Sequence, residues 1–545
     1  MKFINLKEKK LFLFLVLLGC FHGLSFSPDP LPSWSLSFVQ IFTLSLLAYL
    51  TLNVKNGKIA FIRAWIFGTF NFVTSLYWIY IGLHFYADIC KFFAIFSLFI
   101  LSAFLSLYSS IACFLAYILN QSINKNSILS NINKILIWAA LWSLFEWLRG
   151  NLFTGFPWSN IAYAHISNPI SNWSTLLGMY GLSFIAAIFA GCISVLFTAK
   201  KNILKKQILF SGVIITTILL IGISLKFIQW SEPMGKIINA YLVQGNIEQS
   251  KKFDVNQIEQ NILHHIKLLS SFTKEDSEPS WIIFSETVLP IFQNNLPIKI
   301  WNEFLKIVYK SNKTLIIGVP LRRRINDRVF HTNSAIAIDS HTSTNDLIKG
   351  CNIMRYDKKH LVPFGEFIPN GFYWLNKIIT FPLTDFEPGK IYQKPFIVNN
   401  VHILINICYE NLFPQEILSS LKHNPDYKTN NGGDIIINMS NLGWFGNTWA
   451  LRQYLQINRL FAIQIARPIL SSANTGITAF IDPKGKVIAQ LPQNNIGILN
   501  MQVQGMTGNT PYTIYGDYPI IFLLMSIILS RSYIYVIQTR TEKFD

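Results

Sequence analysis

Eight apolar runs constrain this chain more than any other feature. A helix that crosses the hydrocarbon core of a bilayer needs about 20 largely apolar residues. Runs of that kind occupy residues 11–27, 34–54, 59–83, 92–119, 135–148, 176–197, 208–227 and 518–537. Seven precede residue 230 and one lies near the end. The fifth is the shortest and contains Glu146. Over all 545 residues, 51% are hydrophobic and 14% are charged. Soluble domains carry roughly 25% charged residues. The deficit excludes a wholly soluble protein, a disordered one and a classical nucleic-acid binder, and it predicts a multi-pass membrane protein.

The net charge of +18 is placed unevenly. Residues 1–235 hold 16 Lys/Arg and 5 Asp/Glu, and their cations cluster in alternate short loops. Lys2, Lys7, Lys9 and Lys10 precede the first run, and Lys55 and Lys58 follow the second. Lys125 and Lys134 come after the fourth, Lys200, Lys201, Lys205 and Lys206 after the sixth, and Arg540 and Lys543 after the eighth. Cationic loops stay in the cytoplasm. Both termini are therefore expected there, and residues 229–517 on the outer side, which in a bacterium is the periplasm. The predicted division is 1–228 as a membrane domain with seven spans, 229–517 as an outer domain, and 518–545 as a last span with a short tail. Lys-rich residues before an apolar core and Leu17-Leu18-Gly19-Cys20 resemble a lipoprotein signal peptide. An uncleaved first helix is the reading adopted, because Leu18 fits the cleavage signal poorly. Six cysteines in this length do not form a disulfide framework.

The outer segment alternates short apolar runs with helical patterns. The runs fall at residues 238–243, 281–284, 314–319, 335–338, 402–407 and 434–439, and amphipathic stretches at 257–272 and 452–465. That alternation predicts a layered α/β fold. Residues 364–388 form a long connection rich in aromatics and proline. Long connections either pack on the core or serve function. Its Phe372-Tyr373-Trp374 would suit a lid at the bilayer interface.

Three polar groups stand where strands should end. Residues 280–286 close an apolar run with Glu286, residues 355–361 place Lys358 and Lys359 before an apolar turn, and residues 402–410 end in Cys408-Tyr409-Glu410. Sites in layered α/β folds collect at the carboxyl ends of strands. A carboxylate can take a thiol proton, and an ammonium can lower a thiol pKa and stabilise an oxyanion. Taken singly, each group has a plainer reading: an inert core cysteine, a solvated strand-end glutamate, a surface lysine pair.

The three segments together resemble the Glu–Lys–Cys pattern of the nitrilase superfamily. Further details resemble its membrane branch, the apolipoprotein N-acyltransferases. These are Val243-Gln-Gly-Asn-Ile247 with Gln249-Ser250, Tyr356-Asp-Lys-Lys-His-Leu-Val-Pro-Phe-Gly-Glu-Phe-Ile-Pro369 and Ile407-Cys-Tyr-Glu410. Ser440-Asn441 with Trp444-Phe-Gly446, then Arg467-Pro468, Asn474-Thr-Gly476 and Asp482-Pro-Lys-Gly485, look like its closing strands. In the apolar part, Glu146-Trp-Leu-Arg-Gly150, Thr154-Gly-Phe-Pro-Trp158 and Tyr180-Gly-Leu-Ser-Phe184 are also similar. The resemblance spans nearly the whole chain in one order.

The resemblance implies a polytopic α-helical membrane domain plus a nitrilase-like αββα sandwich. It implies Cys408 as nucleophile, Glu286 as general base and Lys358 as oxyanion stabiliser, supported by Glu366, Tyr409 and Glu410, with Lys359 at the variable position. Two positions depart from the family: Phe253 replaces a common Trp, and Leu442-Gly443 replaces Asp-Ala. The implied reaction moves an acyl chain from a phospholipid, through a cysteine thioester, to the α-amine of a diacylglyceryl-cysteine apolipoprotein in the bacterial inner membrane. No cofactor, metal or nucleic acid is implied. A membrane-tethered amidase with water as acceptor would use the same triad. A transporter or receptor with an outer binding domain would explain the helices but not the triad. Arg63 and Glu146 lie near run ends, where snorkelling to the interface is expected.

Overall fold

The computed structural model describes residues 6–121, 128–199, 201–270, 280–311, 313–374, 386–422 and 434–541. The chain divides into two compact units. One comprises Met1–Tyr80, Cys90–Gln229 and Pro511–Asp545, the other Ile81–Ile89 and Trp230–Thr510.

The first unit is helical. Its long helices are Leu6–Gly23, Leu36–Leu52, Gly57–Ser75, Lys91–Asn120, Ile128–Asn151, Ser174–Leu196, Lys201–Leu225 and Tyr518–Thr541. Among the described residues, five helical segments are long and apolar enough to cross a membrane. A sixth is added if the pair Gly57–Ser75 and Trp78–Tyr86, bent by 53°, counts as one span. Leu36–Leu52 has 17 residues, about 25 Å at 1.5 Å per residue, which is short for a ~30 Å core. The helix around the fifth apolar run extends to 24 residues, Ile128–Asn151, because helix-compatible polar residues continue it at both ends. The segment Pro169–Leu196 is 83% buried over its most apolar window, whereas Ile203–Leu225 and Tyr518–Gln538 are 17% buried. The first is therefore the centre of the unit. The other two expose side chains such as Leu209, Leu220, Phe522 and Leu529, a surface suited to lipid rather than water. Gly178 kinks the central helix at φ +69°. The Tyr512 ring occupies the space a Cβ would need there.

Glu146 does not snorkel. It is buried, and its carboxylate accepts from Asn160 Nδ2 (3.0 Å) and the Ile161 N–H (3.2 Å). Arg149 Nη2 lies 3.5 Å from it. Arg149 Nη1 donates to the carbonyls of Phe156 and Trp158. An ion pair one helical turn apart thus carries the hydrogen bonds of the following loop, whose backbone groups would otherwise be buried unpaired.

Among the described residues the second unit holds twelve strands: β1 Glu232–Gln244, β2 Ser280–Ile283, β3 Lys313–Ile325, β4 Arg328–Ile338, β5 Met354–Asp357, β6 Phe396–Val398, β7 Val401–Ile407, β8 Asp434–Ser440, β9 Ile469–Ala473, β10 Ala479–Ile481, β11 Val487–Gln490 and β12 Gly497–Thr507. They form two halves. One runs β5-β4-β3-β2-β1-β12, with β1, β2 and β3 parallel. The other runs β6-β7-β8-β9-β10-β11, with β7, β8 and β9 parallel. A single paired position, Met506 with Asp434, joins them.

Both faces of the central strands are buried, which is why they read as unbroken apolar runs. In β2, Trp281 and Ile283 point into a core shared with Ile405, Ile407, Ile435 and Ile437 of the other half. Ile282 and the following Phe284 point the other way, onto Trp301, Phe304 and Val308 of helix Ile298–Ser311. The result is a sandwich of two sheets with helices outside, as the sequence pattern and the family resemblance predicted.

The junction of the halves contains a buried ion pair. Arg467 Nε lies 3.2 Å from Asp434 Oδ2, both side chains 2% exposed, and Arg467 Nη2 donates to the Gly508 carbonyl at 2.6 Å. Removing one partner of such a pair strands a buried charge and costs about 3–5 kcal/mol. Arg467→Met is therefore expected to lower the melting temperature of the purified protein markedly. Melting within a degree or two of the parent would show that the junction does not depend on this pair.

Candidate functional site

Four strand ends converge. Glu286 follows β2, Lys358 follows β5, Cys408 follows β7 and Asn441 follows β8. Their side chains and backbone meet in one buried cluster. The Lys358 ammonium, 1% exposed, lies 3.4 Å from Glu286 Oε1 and 2.9 Å from Glu366 Oε2. Asn333, in the middle of antiparallel β4, donates its amide to both carboxylates, at 2.8 Å to Glu286 and 2.7 Å to Glu366. The remaining Glu286 oxygen accepts from the Asn441 N–H at 3.0 Å.

The turn that carries Glu286 fits because β3 has a glycine opposite it. A Cβ on Gly318 would lie 2.9 Å from the Glu286 Cα and 2.8 Å from the Ser285 carbonyl oxygen. Cys408 adopts φ +51° at the sharp turn from β7 into the short helix Cys408–Leu412. A non-glycine residue in that region costs roughly 1–2 kcal/mol, so neighbouring bonds must hold it.

Two sets of bonds do so. Glu410, buried, accepts from the Ile407 N–H (2.7 Å), the Lys359 N–H (2.7 Å), the His360 N–H (3.1 Å) and the Tyr356 hydroxyl (2.9 Å). It ties the cysteine turn to the lysine segment. On the other side the Tyr454 hydroxyl lies 2.6 Å from the Cys408 carbonyl oxygen and 2.9 Å from Asn438 Oδ1. Asn438 continues through Asn406, Asn411 and Asn458 to Ser471 in a buried polar chain.

The electrostatics follow from this packing. Burial pushes the Lys358 pKa down, but Glu366 and Glu286 more than offset it, and the ammonium is held charged. The Cys408 thiol is raised: burial comes first, then Glu286 and Glu366, against the lowering effects of Lys358 and the Asn441 N–H. The direction of the Lys358 effect is as the sequence reading expected, but the net shift of the thiol is upward. Lys358 does pull it down, but its charge is already shared by two carboxylates. Glu410 is raised to about 7, chiefly by burial, against the backbone N–H groups and Lys358.

The remaining sequence candidates divide. Glu366 sits in the cluster, whereas Lys359 lies aside, its Nζ 3.8 Å from Glu416. Tyr409 packs its ring on His360 and Phe413. Phe253 stacks on Trp444 at 6.1 Å between ring centroids, and Leu442 is buried, so both departures are absorbed by apolar packing. Phe372, Tyr373 and Trp374 are exposed, while residues 375–385 of the same connection lie outside the described residues. Sequence reasoning missed Asn333, Tyr454 and Lys252, a buried lysine whose Nζ donates to the Glu286 carbonyl at 3.0 Å. Only Lys252 carried a signal, its closeness to Gln249-Ser250. An Asn within an apolar strand carries none.

Comparison with known proteins agrees with this architecture. Residues 18–192 match the apolipoprotein N-acyltransferase N-terminal domain, and residues 240–512 match carbon-nitrogen hydrolase. An apolipoprotein N-acyltransferase from Bordetella bronchiseptica is 41% identical over 524 residues, covering 94% of this chain and 95% of that protein. One from Ralstonia nicotianae is 35% identical, covering 92% and 89%. Among solved structures, a carbon-nitrogen hydrolase from Helicobacter pylori G27 overlays with a TM-score of 0.34 at 16% identity, covering 52% of this chain and 94% of that one. With an N-terminal part rich in long apolar helices, a two-sheet hydrolase-type domain and relatives that match most of its length and most of their own, the chain belongs to the apolipoprotein N-acyltransferase family and is an enzyme of that acyltransferase class.

Proposed function

We propose that this enzyme moves a fatty acyl chain from a phospholipid to the N-terminal amine of a diacylglyceryl-cysteine lipoprotein, through a thioester on Cys408. The observation that carries the proposal is the convergence of three separate strand ends, with Glu286 and Lys358 buried and in contact and the half-buried Cys408 within electrostatic reach of both. The relatives' names supply the acceptor class.

The first half-reaction begins with Cys408 as a thiol. Glu286 takes its proton as sulfur bonds to the ester carbonyl carbon. The carbonyl electrons move to oxygen, and the Lys358 ammonium stabilises that oxyanion. Collapse breaks the carbon–oxygen ester bond. The leaving lysophospholipid alkoxide receives the proton from Glu286. In the second half-reaction a neutral α-amine attacks the thioester carbonyl and gives a proton to Glu286. The carbon–sulfur bond breaks, and the departing thiolate recovers that proton. Glu366 holds Lys358, and Glu410 with Tyr454 holds the strained turn at Cys408. Dividing the transfer replaces one difficult step with two easier ones.

Lipid donors and lipidated acceptors require a bilayer. We assign the eight apolar helical segments as spans, both termini to the cytoplasm, and residues 229–517 to the periplasm of the inner membrane. The lysine placement supports this orientation.

Three outcomes are expected. First, mass spectrometry of the purified protein after incubation with phospholipid finds a fatty acyl thioester on Cys408. Cys408→Ser carries none and transfers acyl chains at less than roughly a hundredth of the parent rate. Release of free fatty acid alone, with no N-acylated lipoprotein, would favour a hydrolase instead. Second, a reporter active only in the cytoplasm, fused after residue 300, stays silent; a signal there reverses the orientation.

Third, kcat/KM falls as pH drops through about 7, where Glu410 takes up a proton and loses part of its clamp. A carboxyl whose pKa is raised by folding, here from 4.5 to about 7, binds its proton more tightly folded than unfolded. Protonation of Glu410 thus favours the fold between those values, so its own titration does not unfold the protein. Glu410→Gln cannot titrate, so it should show a lower plateau without that limb. Persistence of the same limb in the Gln variant would assign it to another group.

A further inference from the structure

Lys252 ends the short helix Gln249–Lys252 and is 3% exposed. Its ammonium reaches the Glu286 carbonyl oxygen at 3.0 Å, the one hydrogen bond found for it among the described residues. A lysine is rarely this buried without ionic partners. The titratable groups that act on it are the Glu286 carboxylate and the Cys408 thiol. His265, on helix Ile258–Ser270, faces it as well and is held neutral, its pKa lowered to about 3 by burial first, then by His264 and Lys252. Beyond Glu286 lie Lys358 and Glu366.

We propose that Lys252 is a second positioning cation of the site, whose charge allows Cys408 to ionise beside two carboxylates that share one lysine. This rests on the reading of Cys408 as the nucleophile. Counting formal charges explains the need. Glu286, Glu366 and Lys358 together are singly negative while Cys408 is a thiol. Loss of the thiol proton to solvent, which is what alkylation reads, would make the buried cluster doubly negative, before any contribution from Glu410; transfer of that proton to Glu286 keeps the total charge but leaves the thiolate beside Glu366. With Lys252 charged, the same cluster passes from neutral to singly negative. Charge separation in a low-dielectric interior is costly, so the second cation bears directly on how readily sulfur gives up its proton. Burial lowers Lys252, Glu286 and Cys408 pull it part of the way back, and the net result is about 8. It is therefore charged at neutral pH and loses its proton in mild alkali.

A plainer role would be a tether of helix Gln249–Lys252 to the Glu286 turn. The two differ in what they do to the thiol. The test follows alkylation of Cys408 by iodoacetamide, read by mass spectrometry across pH about 6 to 10, on the full-length protein in detergent with no acyl donor. Lys252→Met should slow alkylation at pH 7 roughly tenfold, the equivalent of about one pH unit in the thiol. Lys252→Arg, which keeps the charge, should stay within about threefold of the parent. The gap between parent and Met variant should narrow above pH about 8, where Lys252 itself deprotonates. An unchanged profile in the Met variant overturns the proposal. So does an Arg variant as slow as the Met variant, which would indicate a tether. Absence of an acyl thioester on the parent protein would sink the nucleophile reading separately, because alkylation needs no acyl donor.

Discussion

A buried lysine shared by two carboxylates is the constraint on which the site depends. Lys358 is almost completely enclosed, with Glu286 and Glu366 on it and Asn333 bridging the two acids. Charges taken out of water must be paired and their remaining hydrogen bonds satisfied. Here every carboxylate oxygen of the pair has a donor: Lys358 and Asn333 on one side, the Asn441 and Val362 N–H groups on the other. That requirement fixes where the loops after β2, β5 and β8 can go. It also bears on the sulfur: with Lys358 committed to two acids, burial and those acids hold the Cys408 thiol above its ordinary value.

The next layer explains how a strained cysteine is held. Cys408 sits at φ +51° between two buried polar systems. Glu410 gathers three backbone N–H groups and the Tyr356 hydroxyl. The Asn438–Asn406–Asn411–Asn458 chain approaches from the sheet and meets Tyr454 behind the turn. Networks of this kind rigidify only when fully satisfied. Pre-organised geometry of this sort is what acyl transfer requires, since the reacting atoms gain most from being held in place before the reaction.

The helical unit applies the same rule with fewer groups. Glu146 and Arg149 stand one turn apart and serve the loop from Phe156 to Ile161 rather than a solvent interface. In an apolar unit the unpaired backbone of such a loop would be expensive, and a single ion pair satisfies four of its polar groups. Hydropathy alone placed Glu146 near the end of a run and could not distinguish snorkelling from this arrangement.

Much of the architecture was legible in the sequence because burial leaves a pattern there. The apolar helices, the six central strands and the amphipathic helices over them declare themselves through period and composition. Glu286, Lys358, Glu366, Cys408 and Glu410 were legible through motif resemblance, since each lies in a run of several diagnostic residues. Asn333, Tyr454 and Lys252 were not. They lie in strands or helices whose local pattern would be the same with another residue there, and they matter only through partners tens to hundreds of positions away. The sequence by itself thus determined the two kinds of unit, their order and the chemical groups available. Only the tertiary structure decided which carboxylates share Lys358, that the thiol is raised rather than lowered, and that Glu146 is a buried clamp. Those outcomes depend on distance and desolvation between residues far apart in the chain, and neither is written in local periodicity.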